Sequence, residues 1–389
     1  MLYLPAEFPQ DPTLCYLNHA AVGPWPRRTA QLVANFAHTN MTRGGADYPN
    51  WLKVEQRLRQ RLAALINAGS ADDIALTKNT SDGLSTIAAG LDWQPGDEVI
   101  GVANDFISNQ MVWQALESSG VRYQEVDALA TDDPESTLID ALSSSTRLLA
   151  LSTVNYATGY RFDLPRLAAA CRDRQVLLSV DAIQSLGAVP FDLDEIDADF
   201  VTGGSHKWLL SPEGNGFLYC RPALRDQLAL RQFGWAMREN PYDFESHVWR
   251  PAKSARRFES GTPNMMGIQA LDASLSLFEE LGMDAVHARL QANVDYLMDV
   301  LSAMPEIEIV TPRPAAKRAG ILTFRSNLID GADLHGSLMD AGVICSARAG
   351  GVRLAPHFYT PRERLDTALD LVHALQKEAL SGRKGRPVR

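Results

Sequence analysis

Cysteine is scarce in this chain: four in 389 residues, at Cys15, Cys171, Cys220 and Cys345. None forms a C-x-x-C pair, so zinc and thioredoxin-type readings have no support and no metal site is expected. Thiols this few and scattered suit a reducing compartment. No run of about 18 or more apolar residues occurs, so no membrane span is expected. The opening MLYLPAEFPQ lacks a basic stretch followed by an apolar one and does not read as a secretory signal. A cytoplasmic protein is the expectation. The formal charge is −10, and basic residues group only at the end, as Arg383, Lys384, Arg386 and Arg389. A nucleic-acid binder would carry a basic stripe, so none is expected as a partner; the tail reads as a solvated end. Internal repeats and low-complexity segments are missing too.

What is present is an ordinary globular composition, 46% hydrophobic and 22% charged, which excludes disordered and disulfide-scaffold classes. Single cores stop growing at about 250–300 residues, so two or three lobes are predicted. Short apolar runs at 74–78, 98–103, 147–154, 176–180, 199–202 and 216–220 read as strands. Helical spacing between them, at 82–91 and 165–174, implies a parallel or mixed sheet covered on both faces. Ahead of this lie helices at 27–40 and 51–68, joined by a glycine-bearing loop at 41–50. Beyond residue 265 a long helical stretch (266–304) leads into strands at 320–324, 342–346 and 351–355 and helices at 332–341 and 362–377. The expected division is an N-terminal segment 1–70 packing with the small domain, a large domain 71–264, and a connecting helix with a small α+β domain, 265–389.

Two strand ends carry chemistry-bearing residues. Asp181 follows the apolar run VLLSV, and Lys207 follows two glycines in GGSHKW. In an open α/β sheet, ligands bind at the carboxyl ends of strands. Asp181 alone is either a helix cap or a ligand group. Lys207 alone is either exposed or, if desolvated, able to form an imine. A third element is Lys78-Asn79-Thr80-Ser81-Asp82-Gly83, hydroxyls at the start of a helix, where phosphate binds readily. Together these meet the needs of pyridoxal phosphate. The lysine binds the aldehyde, the aspartate keeps the pyridine nitrogen protonated, and the helix start holds the phosphate.

With these residues in place, the sequence resembles the class V aminotransferase group of fold-type I pyridoxal-phosphate enzymes. That group includes cysteine desulfurases, isopenicillin-N-epimerase-like proteins and kynureninases. The resemblance runs from Tyr16-Leu17-Asn18-His19-Ala20-Ala21 to the last helix, and its most specific stretches are SVDAIQSLGAVPFDL (179–193) and GGSHKWLLSPEGNGFLY (203–219). It implies a large domain with a mixed, mostly parallel seven-stranded sheet and a small α+β C-terminal domain. It also implies that Lys207 forms the Schiff base and moves the proton at Cα, and that Asp181 partners the pyridine nitrogen. Gln184 would reach the phenolic oxygen. Thr80, Ser81 and His206 would bind phosphate, Phe106 would stack on the ring, and Asn155 would lie near the ring oxygen. Gly261 and Thr262, in RFESGTPN, would reach the phosphate held by a partner subunit, giving a homodimer with shared sites. Arg353 would grip the α-carboxylate of an amino-acid substrate, and Asn18 would bind the substrate with it. Gly204 stands where desulfurases have a phosphate-binding serine, with Ser205 next to it, and Thr360 stands where the family has asparagine.

The reaction follows less directly. Desulfuration needs a thiolate on a mobile loop near the carboxylate-binding arginine. Only Cys345 is in that region, eight positions before Arg353 and in a stretch that reads as a strand, so it reads as a small buried hydrophobe. Transamination or Cβ-lyase chemistry is the expectation. Desulfuration, epimerisation and a cofactor-binding protein without turnover are the alternatives.

Overall fold

The computed structural model describes residues 4–384; side chains are described to residue 381. The side chains of the basic tail, Arg383, Lys384, Arg386 and Arg389, lie outside the described ones.

The main sheet has seven strands, in the spatial order Ile74–Thr77, Gly216–Cys220, Phe200–Gly204, Leu177–Asp181, Thr146–Ser152, Glu98–Val102 and Arg122–Val126. Gly216–Cys220 alone runs against its neighbours; the other pairings are parallel. Leu148, Leu149 and Leu151 are fully buried. Successive residues of a strand point to opposite faces, so both faces of this sheet are covered. Each such leucine contributes about 1.5–3 kcal/mol of burial, which explains the continuous apolar runs. The polar strand Arg122–Val126 (RYQEV) pairs only along one side and is mostly exposed, so it lacks the apolar run that marks the others.

Helix Thr80–Gly90 starts where Asn79 Oδ1 accepts from Asp82 N (2.9 Å), and helix Leu164–Asp173 where Asp163 Oδ1 accepts from Arg166 N (3.2 Å). Both are N-caps that satisfy orphan helix donors. The long stretch expected at 266–304 is two helices, Met265–Leu281 and Met283–Ser302, because Gly282 turns the chain with φ +76°.

A second sheet orders Ser346–Arg348, Gly351–Leu354, Leu322–Ser326 and Ile307–Ile309, all antiparallel. The strand expected at 342–346 is broken at Cys345. Val343–Ile344 pairs in parallel with Cys15–Tyr16, while Ser346 onward joins the antiparallel sheet. The N-terminal segment is shared between two cores. Cys15 and Leu17 pack with the second sheet. Trp51, Leu58 and Leu62, on helix Tyr48–Leu65, pack with Ile268 and Leu271 in the larger core. Helices Arg27–Arg43 and Tyr48–Leu65 both pack against helix Met265–Leu281.

Candidate active site

The carboxyl ends of strands Leu177–Asp181 and Phe200–Gly204 face the second sheet across a cleft, and the chemistry-bearing residues gather there. Asp181 is the last residue of its strand and is 2% exposed. Its Oδ2 accepts from Asn109 Nδ2 (2.9 Å) and its Oδ1 from Ile183 N (2.9 Å). Burial pushes its pKa up, opposed by these two bonds and by the Lys207 charge. Lys207 is 8% exposed, and burial brings its amine down to about 8 despite attraction to Asp181. About a tenth is then unprotonated at pH 7, far more than in an ordinary lysine, and the free amine is the nucleophile. Its Nζ lies 5.4 Å from the centroid of the Phe106 ring. Phe106 is 41% exposed, so its ring forms a wall of the cleft, not part of a core. It meets Tyr156 edge-on at 5.5 Å.

Asn155 is committed locally. Its Oδ1 accepts from Ala157 N, Thr158 N and Thr158 Oγ1, and its Nδ2 donates to Asn104 O. Side-chain capping of this kind is how asparagine builds turns, and this turn sets Tyr156 between Phe106 and the second sheet. Gln184 is also oriented within the chain. Trp208 Nε1 donates to its Oε1 (2.8 Å) and its Nε2 donates to Ala20 O (3.1 Å), so the amide nitrogen side is defined. Trp208 is fully buried, and Gly187, at φ +89°, lies so close that a Cβ there would be 2.3 Å from Trp208 O.

The residues fit a bound phosphopyridine at several points. Thr80 Oγ1 is buried and has no hydrogen-bond partner, an arrangement that costs stability unless a ligand supplies one. A Cβ on Gly204 would sit 3.2 Å from that oxygen, 3.5 Å from His206 Nδ1 and 2.9 Å from Ile183 Cδ1. The absent side chain therefore leaves a cradle between Thr80 and His206. Ser205 does not fill the role of the missing serine: its hydroxyl is held by Pro212 O (2.5 Å) and Asn215 O (3.0 Å). Ser81 Oγ donates to Ser108 Oγ, at the starts of two helices.

Across the cleft, Arg353 on strand Gly351–Leu354 is 1% exposed. Its Nη1 donates to Tyr156 O (2.6 Å) and its Nη2 to Asn18 Oδ1 (3.3 Å), which also accepts from Ser346 Oγ (2.8 Å). Its Nε is buried without a partner, and no carboxylate pairs with it among the described residues. Burial, helped by the neighbouring Arg348 charge, brings its pKa down to about 10. A buried guanidinium without a counter-ion is costly and is a ready receptor for a carboxylate.

Gly261 and Thr262 stand apart. They line a separate cavity of about 160 Å³ with Lys78, Asp82, Gly214 and Asn264, and none of the residues around Lys207 lines it. Cys345 is buried between two strands, its thiol pushed up to about 12 by desolvation. The sequence reading missed Asp105, Asn109 and Ser152. Asp105 accepts from Ser152 N and Oγ and from Phe106 N, and Asn109 Nδ2 also donates to Ser152 Oγ. Desolvation raises Asp105 to about 6. The sequence cue for Asp105 and Asn109 was their nearness to Phe106 in NDFISN, and Ser152, at the end of a buried strand, carried none.

Residues 15–361 match the family model for aminotransferase class V. The chain belongs to the class V aminotransferase family. Its cofactor is pyridoxal phosphate, and its relatives are enzymes that use it. Among class V relatives, a probable cysteine desulfurase of Methanothermobacter thermautotrophicus is 29% identical over 377 residues, 90% of this chain and 92% of that one. An uncharacterized aminotransferase of Bacillus subtilis is 30% identical over 333 residues, 85% and 86%. Of solved structures, a cystine C–S lyase in complex with its product cysteine persulfide superposes with a TM-score of 0.87 at 24% identity, over 93% of this chain and 98% of that one. That likeness concerns the fold, which is the mixed seven-stranded α/β architecture the motifs implied. No helix among the described residues is long and apolar enough to cross a membrane.

Proposed function

We propose that the protein transforms an α-amino acid at Lys207, by transamination or Cβ-lyase chemistry, with Arg353 holding the α-carboxylate. One observation carries the substrate class. Arg353 is a fully buried cation with a free Nε and no acidic partner among the described residues, facing the cleft that holds Lys207. When bound, pyridoxal phosphate supplies an aldehyde that takes up amines and a ring that draws electrons from Cα.

The chain's own groups do the rest. Asp181, held by Asn109 and Ile183 N, keeps a proton on the ring nitrogen. Thr80, Ser81 and His206 hold the phosphate, with the Gly204 cradle making room for it. Phe106 would stack on the cofactor ring; a phenyl group transfers no proton, which would leave Lys207 Nζ to move the proton at Cα. Gln184, its amide oriented by Trp208 and Ala20 O, would offer its remaining N–H to the phenolic oxygen, and Asn155 shapes its own turn nearby. Asn18 steadies Arg353. Gly261 and Thr262 act on the phosphate of a second subunit, in a cytoplasmic homodimer with shared sites. Their open position supports this: a Cβ on Gly261 would meet nothing within 4 Å. The segments 1–70, 71–264 and 265–389 serve as entrance, cofactor domain and small domain.

The names of several relatives favour a second reading, cysteine desulfuration. Against it stands Cys345, a buried thiol held near 12 on a short connection, where desulfuration requires an exposed thiolate. Product analysis on an amino-acid panel separates the routes. Transamination converts the cofactor to its amine form with release of a keto acid. A Cβ-lyase releases pyruvate or alanine. Sulfide formed from cysteine that disappears in Cys345→Ala would overturn the preferred reading in favour of desulfuration.

A further inference from the structure

Beside Arg353 lies a second cation, Arg348. In the antiparallel pair Ser346–Arg348 and Gly351–Leu354, Ser346 stands opposite Arg353 and Arg348 opposite Gly351. Residues two apart on a strand share a face, and directly opposed residues share one too. Ser346, Arg348 and Arg353 therefore project to the same side of the sheet. The Ser346 and Arg353 contacts with Asn18 and Tyr156 show that this side faces the cleft. Arg348 is the diagonal neighbour of Arg353, at a spacing of about 7–8 Å in such a pair.

Its guanidinium lies 5.9 Å from the centroid of the Tyr156 ring, the ring that also meets Phe106. Cations settle over tyrosine faces with modest energy, so this contact orients the side chain toward the cleft without neutralising it. Its one hydrogen bond is to its neighbour's carbonyl, Ala347 O (2.7 Å), and no carboxylate pairs with it among the described residues. Lys207 and Arg353 both lie within reach of its charge. Three cations thus border the amino-acid end of the cleft, while the carboxylates of Asp181 and Asp105 sit on the cofactor side.

We infer that Arg348 is a second carboxylate receptor, and that the substrate is an α-amino acid with a carboxylate on its side chain. This rests on the reading that Arg353 takes the α-carboxylate. With that group on Arg353 and the amine at Lys207, a short acidic side chain extends along the sheet face toward Arg348. A neutral side chain would leave a bare guanidinium over Tyr156 and gain nothing from it.

The test uses probes without an amino group, so that binding is read apart from turnover. Glutarate and butyrate are titrated by calorimetry into the cofactor-loaded protein and into Arg348→Gln. This substitution affects an exposed residue with one backbone bond, so folding is preserved. Glutarate is expected to bind the wild type at least about tenfold more tightly than butyrate, the range of one charge-assisted contact. In Arg348→Gln the two should bind alike. A second arm follows the cofactor's absorbance with L-glutamate, L-aspartate, L-alanine and L-norvaline, and the two acidic amino acids should saturate at lower concentration. Equal affinity for glutarate and butyrate in the wild type, or a preference that survives Arg348→Gln, would overturn the inference and leave Arg353 in its role. Failure of both probes to bind would overturn the Arg353 reading itself.

Discussion

Replacing Arg353 by methionine separates what this side chain costs the fold from what it does for a ligand. Burial holds the guanidinium at about 10, against an ordinary 12.5. That depression corresponds to about 3 kcal/mol of disfavoured charge burial, which methionine removes while keeping much of the packing volume. The substitution also deletes the donor to Tyr156 O, a loss of about 1–3 kcal/mol for an acceptor left dry, whereas Asn18 Oδ1 keeps its bond from Ser346 Oγ. The opposing terms nearly cancel, so the cofactor-loaded variant should unfold in denaturant within about 2 kcal/mol of the wild type. Removing one partner from a buried, compensated ion pair would cost about 3–5 kcal/mol. Amino-acid binding has no such cancellation. Loss of a charged, two-pronged carboxylate contact costs about 3–4 kcal/mol, or about 10²–10³ in affinity. The measurements are denaturant unfolding and amino-acid titration followed by cofactor absorbance. A variant destabilised by more than about 4 kcal/mol with amino-acid affinity intact would refute the reasoning, because Arg353 would then be a structural cation.

Two further outcomes follow from the same site. Lys207 titrates near 8 in the folded protein and near 10.5 when unfolded. The cofactor-free protein therefore carries the full penalty of about 3 kcal/mol below pH 8 and loses it as pH rises from 8 to 10.5, where the unfolded chain binds more protons. Stability should rise across that window in the wild type and not in Lys207→Met; equal slopes would contradict the assignment. In the phosphate cradle, Gly204→Ala places a methyl 3.2 Å from Thr80 Oγ1. Equilibrium binding should show pyridoxal-phosphate affinity falling at least about tenfold, with Thr80→Val weakening it by a similar step. Affinity unchanged in both variants would remove the cradle.

Much of this architecture was legible because strands buried on both faces must be apolar throughout. The runs around Leu148–Leu151, Leu178–Val180 and Phe200–Val201 announced the middle of the sheet, and the hydroxyls and caps at Asn79–Asp82 announced a helix start. Where burial is one-sided, the pattern weakens. The edge strand Arg122–Val126 and the short strands Cys15–Tyr16 and Ile307–Ile309 carried no readable alternation. The break at Cys345 was hidden as well, since an apolar stretch shared between two sheets looks like one strand.

Local chemistry therefore pointed to Lys207, Asp181 and Thr80, since strand ends and caps are properties of short segments, while Arg353 came from the family resemblance of its motif. Only the tertiary structure decided that Arg353 has no acidic partner among the described residues and that Trp208 holds Gln184. It alone shows that Gly204 leaves space beside Thr80 and that Arg348 shares a face with Arg353. Each of these depends on residues tens to hundreds of positions apart, or on cross-strand register, and a one-residue shift in register would turn Arg348 to the other face. The scarce cysteines show the same division. Their number was plain from the chain, but that Cys345 is sealed between two strands, its thiol held near 12, came from the packing around it.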